Sequence, residues 1–248
     1  IGIYQMLDTL QNVKRFQQIN TFGEILASGY WNFAHGWDFG PVFSTVGYND
    51  IEGLRLKAGA RTYFSQNDKW RVKGYLAYGF MDTKFKYGIE GKYLFKGKDR
   101  WILSFGTRKD IEQLGVSLTT SNEVLERSFA TTSIFTRGDN SKLSNIDLTN
   151  VKVSFEPIKN VDLRIGTTYK TLESADPEKF NVDYFDENGD IQSSIEQVDV
   201  SFAVQYTPNR NSYGFGVERS ISNRGRYPTF FFSYTKGIKG VFNSDFDY

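Results

Sequence analysis

The chain has 248 residues, a net charge of +1, one histidine and no cysteine. Zero cysteine excludes disulfides, thiol catalysis and cysteine-ligated metal, and near-neutral charge gives no whole-chain case for nucleic-acid binding. Hydrophobic residues make up 39% and aromatics 17%, which is lean for a globular core but suits a barrel, where only the outward parity must be apolar.

No run of 18 or more apolar residues is present, so no transmembrane helix is expected. Strands need no such run. The chain opens at Ile1 without Met and reads as a mature or internal fragment.

Residues 1–28 form a helical or linker segment. Met6, Leu10, Val13 and Phe16 recur at helical spacing, Glu24–Ala27 extends it, and Gly29 ends it. The expected element is a short amphipathic helix outside the membrane or across a barrel mouth, or else a loosely docked linker. Residues 29–248 are expected to be barrel strands. Trp31, Phe33, His35, Trp37, Phe39 and Phe43 share one parity over Trp31–Val46, interrupted at Pro41. A turn follows at Gly47–Asp50.

The next three segments alternate strictly. Leu54, Leu56 and Phe64 oppose Arg55, Lys57 and Arg61. Trp70, Val72, Leu76, Tyr78 and Phe80 oppose Arg71 and Lys73. Phe85, Tyr87, Ile89, Tyr93 and Phe95 oppose Lys84, Lys86, Glu90 and Lys92. Successive side chains of a strand point to opposite faces, so each segment has one apolar and one charged face. Each is also about the ten residues that a tilted strand needs to cross a bilayer. A soluble sandwich also alternates, but with shorter strands.

Turns are expected at Ser65–Lys69, Met81–Thr83 and Lys96–Arg100, and Trp101–Thr107 continues the pattern. Asp110–Asn145 has no clear period; Ser121–Arg127 reads as helix or loop. Further strands are expected at Ile146–Phe155, Val161–Tyr169, Val198–Tyr206, Tyr213–Val217 and Pro228–Tyr234. A long polar loop over Leu172–Ser194 and a turn at Pro208–Ser212 separate them. The fold class is therefore all-β: an antiparallel transmembrane β-barrel, partial, of about ten strands.

Several stretches resemble one family: Tyr48-Asn49-Asp50-Ile51-Glu52-Gly53-Leu54-Arg55-Leu56, Gly74-Tyr75-Leu76-Ala77-Tyr78-Gly79-Phe80-Met81-Asp82, Lys86-Tyr87-Gly88, Tyr227-Pro228, Gly237-Ile238-Lys239-Gly240 and Asp245-Phe246-Asp247-Tyr248. They are similar to Bacteroidota outer-membrane barrels of unknown function that follow a carboxypeptidase-regulatory-like domain. The resemblance implies an outer-membrane location and an internal slice of a larger barrel. It carries no catalytic residues. On that basis Trp31–Phe43 and Pro228–Tyr234 are expected not to pair with each other.

Two facings are expected as a set, because a one-residue slip would flip every side chain. Leu54, Leu56, Leu76, Tyr78, Ile89 and Tyr93 should face lipid. Arg55, Lys57, Arg61, Arg71, Lys73, Lys84, Lys86 and Lys92 should form a basic wall in the lumen. That wall either attracts anions or is balanced by acids such as Glu90, Asp147, Asp162 and Asp199. Asn49–Gly53 reads as a turn with an ion pair to a nearby Arg, and Asp183–Asp190 as a solvated acidic loop without EF-hand spacing. His35 with Ser44 or Ser28 is an awkward catalytic pair, since Ser44 has the opposite parity. No cofactor, metal or enzymatic activity is expected. The expected partners are outer-membrane lipid and other outer-membrane or periplasmic proteins. The expected role is transport, assembly or partner binding, with an anion-preferring porin or a lipid-modifying barrel enzyme as alternatives.

Overall fold

The computed structural model describes residues 13–95, 97–113, 143–186, 189–222, 228–242 and 244. Met6, Leu10, Ser121–Arg127 and the Asp-Phe-Asp-Tyr stretch lie outside them. A helix, α1 (Lys14–Ser28), comes first. Then follow β1 (Trp31–Ala34), β2 (Gly36–Phe39), β3 (Val46–Asn49), β4 (Gly53–Tyr63), β5 (Trp70–Gly79), β6 (Phe85–Leu94), β7 (Ile102–Gln113) and β8 (Leu143–Ile158). After these come β9 (Val161–Ser174), β10 (Tyr184–Phe185), β11 (Ile191–Gln192), β12 (Ser194–Tyr206), β13 (Asn211–Tyr213), β14 (Ser220–Ser222) and β15 (Phe230–Gly237).

Eleven strands form one sheet in the order β1-β2-β4-β5-β6-β7-β8-β9-β12-β15, with β3 also on β4. Every pairing is antiparallel. The sheet does not close: β1 and β15 are its two edges, with no ladder between them. That is the expectation stated for those two segments.

In α1, Phe16, Ile19, Phe22 and Leu26 lie on one stripe, yet no residue of the helix is buried. Gly29 stops it in the left-handed conformation (φ 75°), donating its N–H to Ile25 O at 2.7 Å. Glycine takes that conformation without a Cβ penalty.

Four sequence expectations are corrected. Trp31–Val46 is not one strand. The chain reverses at His35 and Gly36 (φ 76°), so Trp31 pairs with Phe39 and Ala34 with Trp37. A hairpin with short arms keeps the same parity on both sides, so periodicity could not reveal the turn. Second, Gly47–Asp50 is mostly β3, and the turn falls at residues 50–52. β2 and β3 both lie along β4, on Ala60–Tyr63 and Gly53–Leu56. They act as one strand interrupted at Pro41, which has no N–H for the ladder. Third, β9 runs on to Ser174, and the supposed long loop holds the small β10–β11 hairpin. Fourth, Tyr213–Val217 is not a sheet strand: β13 pairs with β14 in a separate hairpin, and residues 214–219 form a loop.

The two faces of the sheet differ sharply. One register row runs Trp70–Tyr93–Leu103–Val153–Ile165–Phe202–Tyr234 across seven strands. Six of these seven are exposed, Trp70 at 44% and Ile165 at 47%, and Val153 is half-buried. The neighbouring row on the other face runs Arg71–Lys92–Ser104–Lys152, and each member is buried or half-buried. A soluble protein hides the apolar face; this sheet hides the charged one. Among the described residues the buried apolar clusters are small, Ile51 with Ile111 and Leu143, and Ile146 with Leu148.

Aromatic side chains collect at both ends of the apolar face. At one end Phe64 meets Trp70 (centroids 5.8 Å), Tyr93 meets Phe95 (5.0 Å), Trp101 stacks on Phe155 (4.1 Å) and Tyr206 stacks on Phe230 (6.3 Å). At the other, Tyr78 packs on Phe80 (5.3 Å) and Phe85 (4.8 Å).

Candidate functional site: a buried charge network

The buried face is polar from end to end, and its charges are matched locally. At one end, the Asn49–Gly53 turn builds the first cluster. Asn49 Oδ1 accepts the N–H groups of Ile51 (3.0 Å) and Glu52 (2.8 Å), and its Nδ2 donates to Glu52 Oε2 at 2.6 Å. This turn aims Ile51 into its apolar cluster and Glu52 at Arg55 (2.6 Å) and Lys86 (2.8 Å). Arg55 also grips Asp110 of β7 through both terminal nitrogens, at 2.8 and 3.0 Å, while Tyr75 donates its hydroxyl to Asp110 Oδ2 at 2.6 Å. Arg55, Glu52 and Asp110 are each at most 2% exposed. Lys86 further pairs with Asp82, and Arg108 with Glu112.

Asn49→Ala deletes three hydrogen bonds in a buried turn and leaves Glu52 short of a donor. The expected loss is about 1–3 kcal/mol, read by chemical unfolding of the full-length protein. An unchanged midpoint would show that the turn holds without its side chain.

At the opposite end, the segment between β12 and β15 folds back over the charged face. Its Glu218 accepts a hydrogen bond from Arg71 through Oε2 (2.9 Å), and its Oε1 lies 3.3 Å from Lys73 Nζ and 4.0 Å from Lys92 Nζ. Its backbone is tied to the β4–β5 turn: Phe215 N–H donates to Asn67 Oδ1 (2.8 Å) and Val217 N–H to Asp68 O (2.6 Å). The approach is so close that a Cβ on Gly216 would collide with the carbonyl of Gln66. Further along, Arg210 bridges Glu156 and Asp162, and Arg219 joins Glu156.

Asp68 and Arg210, both on connecting segments, are shifted from their ordinary values. Burial alone would raise Asp68, but the N–H groups of Ser65 and Phe64, the Ser65 hydroxyl and Arg71 hold its carboxyl below the usual 3.8. Its contribution to stability is therefore present above the unfolded value and is lost as pH falls through the lowered folded one. Burial would lower Arg210, but Asp162 and Glu156 hold it above the ordinary guanidinium value.

Of the eight basic-wall residues, six have a carboxylate within 4.0 Å: Arg55, Arg61 (Asp38, 3.0 Å), Arg71, Lys73, Lys86 and Lys92 (Glu90, 3.3 Å). Lys57 lies over the Tyr75 ring at 4.1 Å. Lys84 is a correction: it is exposed in the turn before β6. Three of the suggested balancing acids are also corrected. Asp162 serves Arg210, Asp199 serves Lys170, and Asp147 is exposed on the other face.

Leu54, Leu56, Leu76, Ile89 and Tyr93 are exposed, and Tyr78 is half-buried among aromatics. His35 is exposed at the hairpin turn, with its ring edge-on to Phe64. The hydroxyl of Ser44 donates to Pro41 O and that of Ser28 to Glu24 O. Asp186 closes the β10–β11 hairpin by accepting the Asp190 N–H at 2.8 Å.

Sequence reasoning missed Asp110, Arg108 and Glu112. The signal was there: these three alternate along β7 opposite Thr107, Lys109 and Ile111. Glu218 carried no such signal, because its role depends on a loop crossing a face formed by distant strands.

Residues 27–248 match the C-terminal domain of a family of unknown function, DUF5686. No curated protein and no solved structure matches the chain. The matched span takes in the whole sheet and both charge clusters, so the chain belongs to the DUF5686 family through its C-terminal domain.

Proposed function

We propose that this chain is the membrane-spanning sheet of a bacterial outer-membrane barrel protein, of the Bacteroidota type, that works as a transport, assembly or partner-binding component. The observation that carries this reading is the exposed apolar face bounded by aromatic ends. Trp70 and Tyr78 are eight residues apart on β5, as are Phe85 and Tyr93 on β6. At a rise of about 3.3 Å and a tilt near 40°, that separates the two aromatic levels by roughly 20 Å, close to the ~25 Å apolar band of outer-membrane barrels.

Hydrocarbon cannot hydrogen-bond a free sheet edge. Both edges of this sheet must therefore be covered, by the rest of the protein or by another chain. The β15 edge favours partner binding: Phe230, Phe231, Phe232 and Tyr234 are exposed on both of its faces. The lipid-facing and lumen-facing sets stand within this proposal. A pore that prefers anions is the weaker reading, because most of the wall is already neutralised. No catalytic role is proposed.

The test is flotation of the full-length protein with phospholipid vesicles after a carbonate wash, together with single-channel recording. The proposal expects tight vesicle association and little anion preference. Recovery in the soluble fraction would end it, and strong anion selectivity would favour the pore.

A further inference from the structure

A cavity of about 380 Å³ opens between the β6–β7 turn and the loop after β13, within the ~300–1,000 Å³ range of small-ligand sites. Lys69, Lys98, Arg100 and Arg219 line it together with Phe95 and Phe215, and no acidic residue lines it among those described. Arg100 donates to the carbonyls of Gly216 (2.9 Å) and Val217 (3.4 Å) rather than to a carboxylate. It also adopts φ 47°, a left-handed conformation uncommon for a side-chain-bearing residue. Of the acids nearby, Glu156 pairs with Arg210 and with the lining Arg219, and Asp162 pairs with Arg210, so the lining cations without a described carboxylate partner are Lys69, Lys98 and Arg100. Asp99, in the same turn, is exposed. Burial and the adjacent Arg219 press the Arg100 guanidinium down to about 10, against the opposing pull of Glu156 and Asp162.

The cavity also has a definite level in the fold. Lys69 immediately precedes Trp70, and Arg100 immediately precedes Trp101. These two Trp residues belong to the larger aromatic end of the apolar face, the level at which a barrel meets lipid headgroups. Clustered Lys and Arg side chains near a membrane surface attract anionic headgroups.

We propose that this cavity is a phosphate site, taking the phosphodiester of an anionic lipid headgroup or free phosphate, with Lys69, Lys98, Arg100 and Arg219 as its donors. The lipid source rests on the membrane reading above; the charge argument does not. The test uses full-length protein in a non-ionic detergent free of phospholipid. Sodium phosphate is titrated calorimetrically, and phosphatidylglycerol is added for native mass spectrometry. Lys69→Gln with Lys98→Gln removes two exposed cations that have no described carboxylate partner, and Arg100→Gln is the second variant. Each is expected to weaken binding by about tenfold or more, with an unchanged near-ultraviolet circular dichroism spectrum. Retention of phosphatidylglycerol alone identifies the headgroup as the source, whereas phosphate binding of equal strength identifies the free anion. Binding of neither, or equal binding by wild type and both variants, overturns the proposal. Loss of vesicle flotation with phosphate binding intact would remove only the lipid source.

Discussion

Arg55→Met is expected to destabilise the full-length protein by about 3–5 kcal/mol. The substitution fits the space but strands Glu52 and Asp110, both almost wholly buried, without their shared guanidinium. Tyr75 and Lys86 remain as partners, but neither replaces the two-nitrogen grip on Asp110. Removing Asp110 as well is expected to recover part of the loss, because one stranded carboxylate is gone and the pair is coupled. Lys84→Met, at an exposed turn position, is the control and should stay within about 0.5 kcal/mol. Urea unfolding in phospholipid vesicles measures all of these. A cost below about 1 kcal/mol for Arg55→Met would show that the cluster does not hold the sheet together.

Ile89→Arg is expected to cost about 2–4 kcal/mol in a bilayer. Ile89 stands midway between Phe85 and Tyr93 on β6, opposite Gly74 and Thr107, and is 47% exposed. On a water-facing surface the same change would stay within about 0.5 kcal/mol. Exposure alone therefore predicts tolerance, and lipid predicts a penalty. Phe85→Arg, at the aromatic end of the same strand, should cost only about 0–1 kcal/mol, because the penalty falls toward the interface. Equal tolerance at both positions would contradict a bilayer around the sheet.

The sheet was legible in the sequence because its two faces meet different surroundings. In β4, β5 and β6 the inward parity is charged or small except at Tyr63, Tyr75 and Leu94, and side-chain direction follows from that period. The same period hid the β1–β2 hairpin. A reversal at Gly36 preserves parity, and only the ladder Trp31–Phe39 exposes it. The ion pairs divide along similar lines. Glu52 with Arg55 is local and was readable as a turn with a nearby arginine. Arg55 with Asp110 joins residues 55 positions apart, and the neutralising Glu218 reaches Arg71 across 147. Such pairs depend on strand order and on a loop crossing the sheet, neither of which leaves a mark in local pattern. The cationic cavity is of the second kind: Lys69, Arg100 and Arg219 sit on three separate connections.

The central claim is that the exposed apolar face lies against lipid. The chain has no cysteine, so single spin labels can be placed one at a time along Phe85–Leu94, with any cysteine elsewhere in the full-length protein replaced by Ser. In vesicles, the account predicts a two-residue period: oxygen reaches labels at Tyr87, Ile89 and Gly91, a water-soluble nickel chelate does not, and labels at Lys86, Gly88 and Glu90 show no oxygen maximum. Free access of the nickel chelate to Ile89 would contradict it.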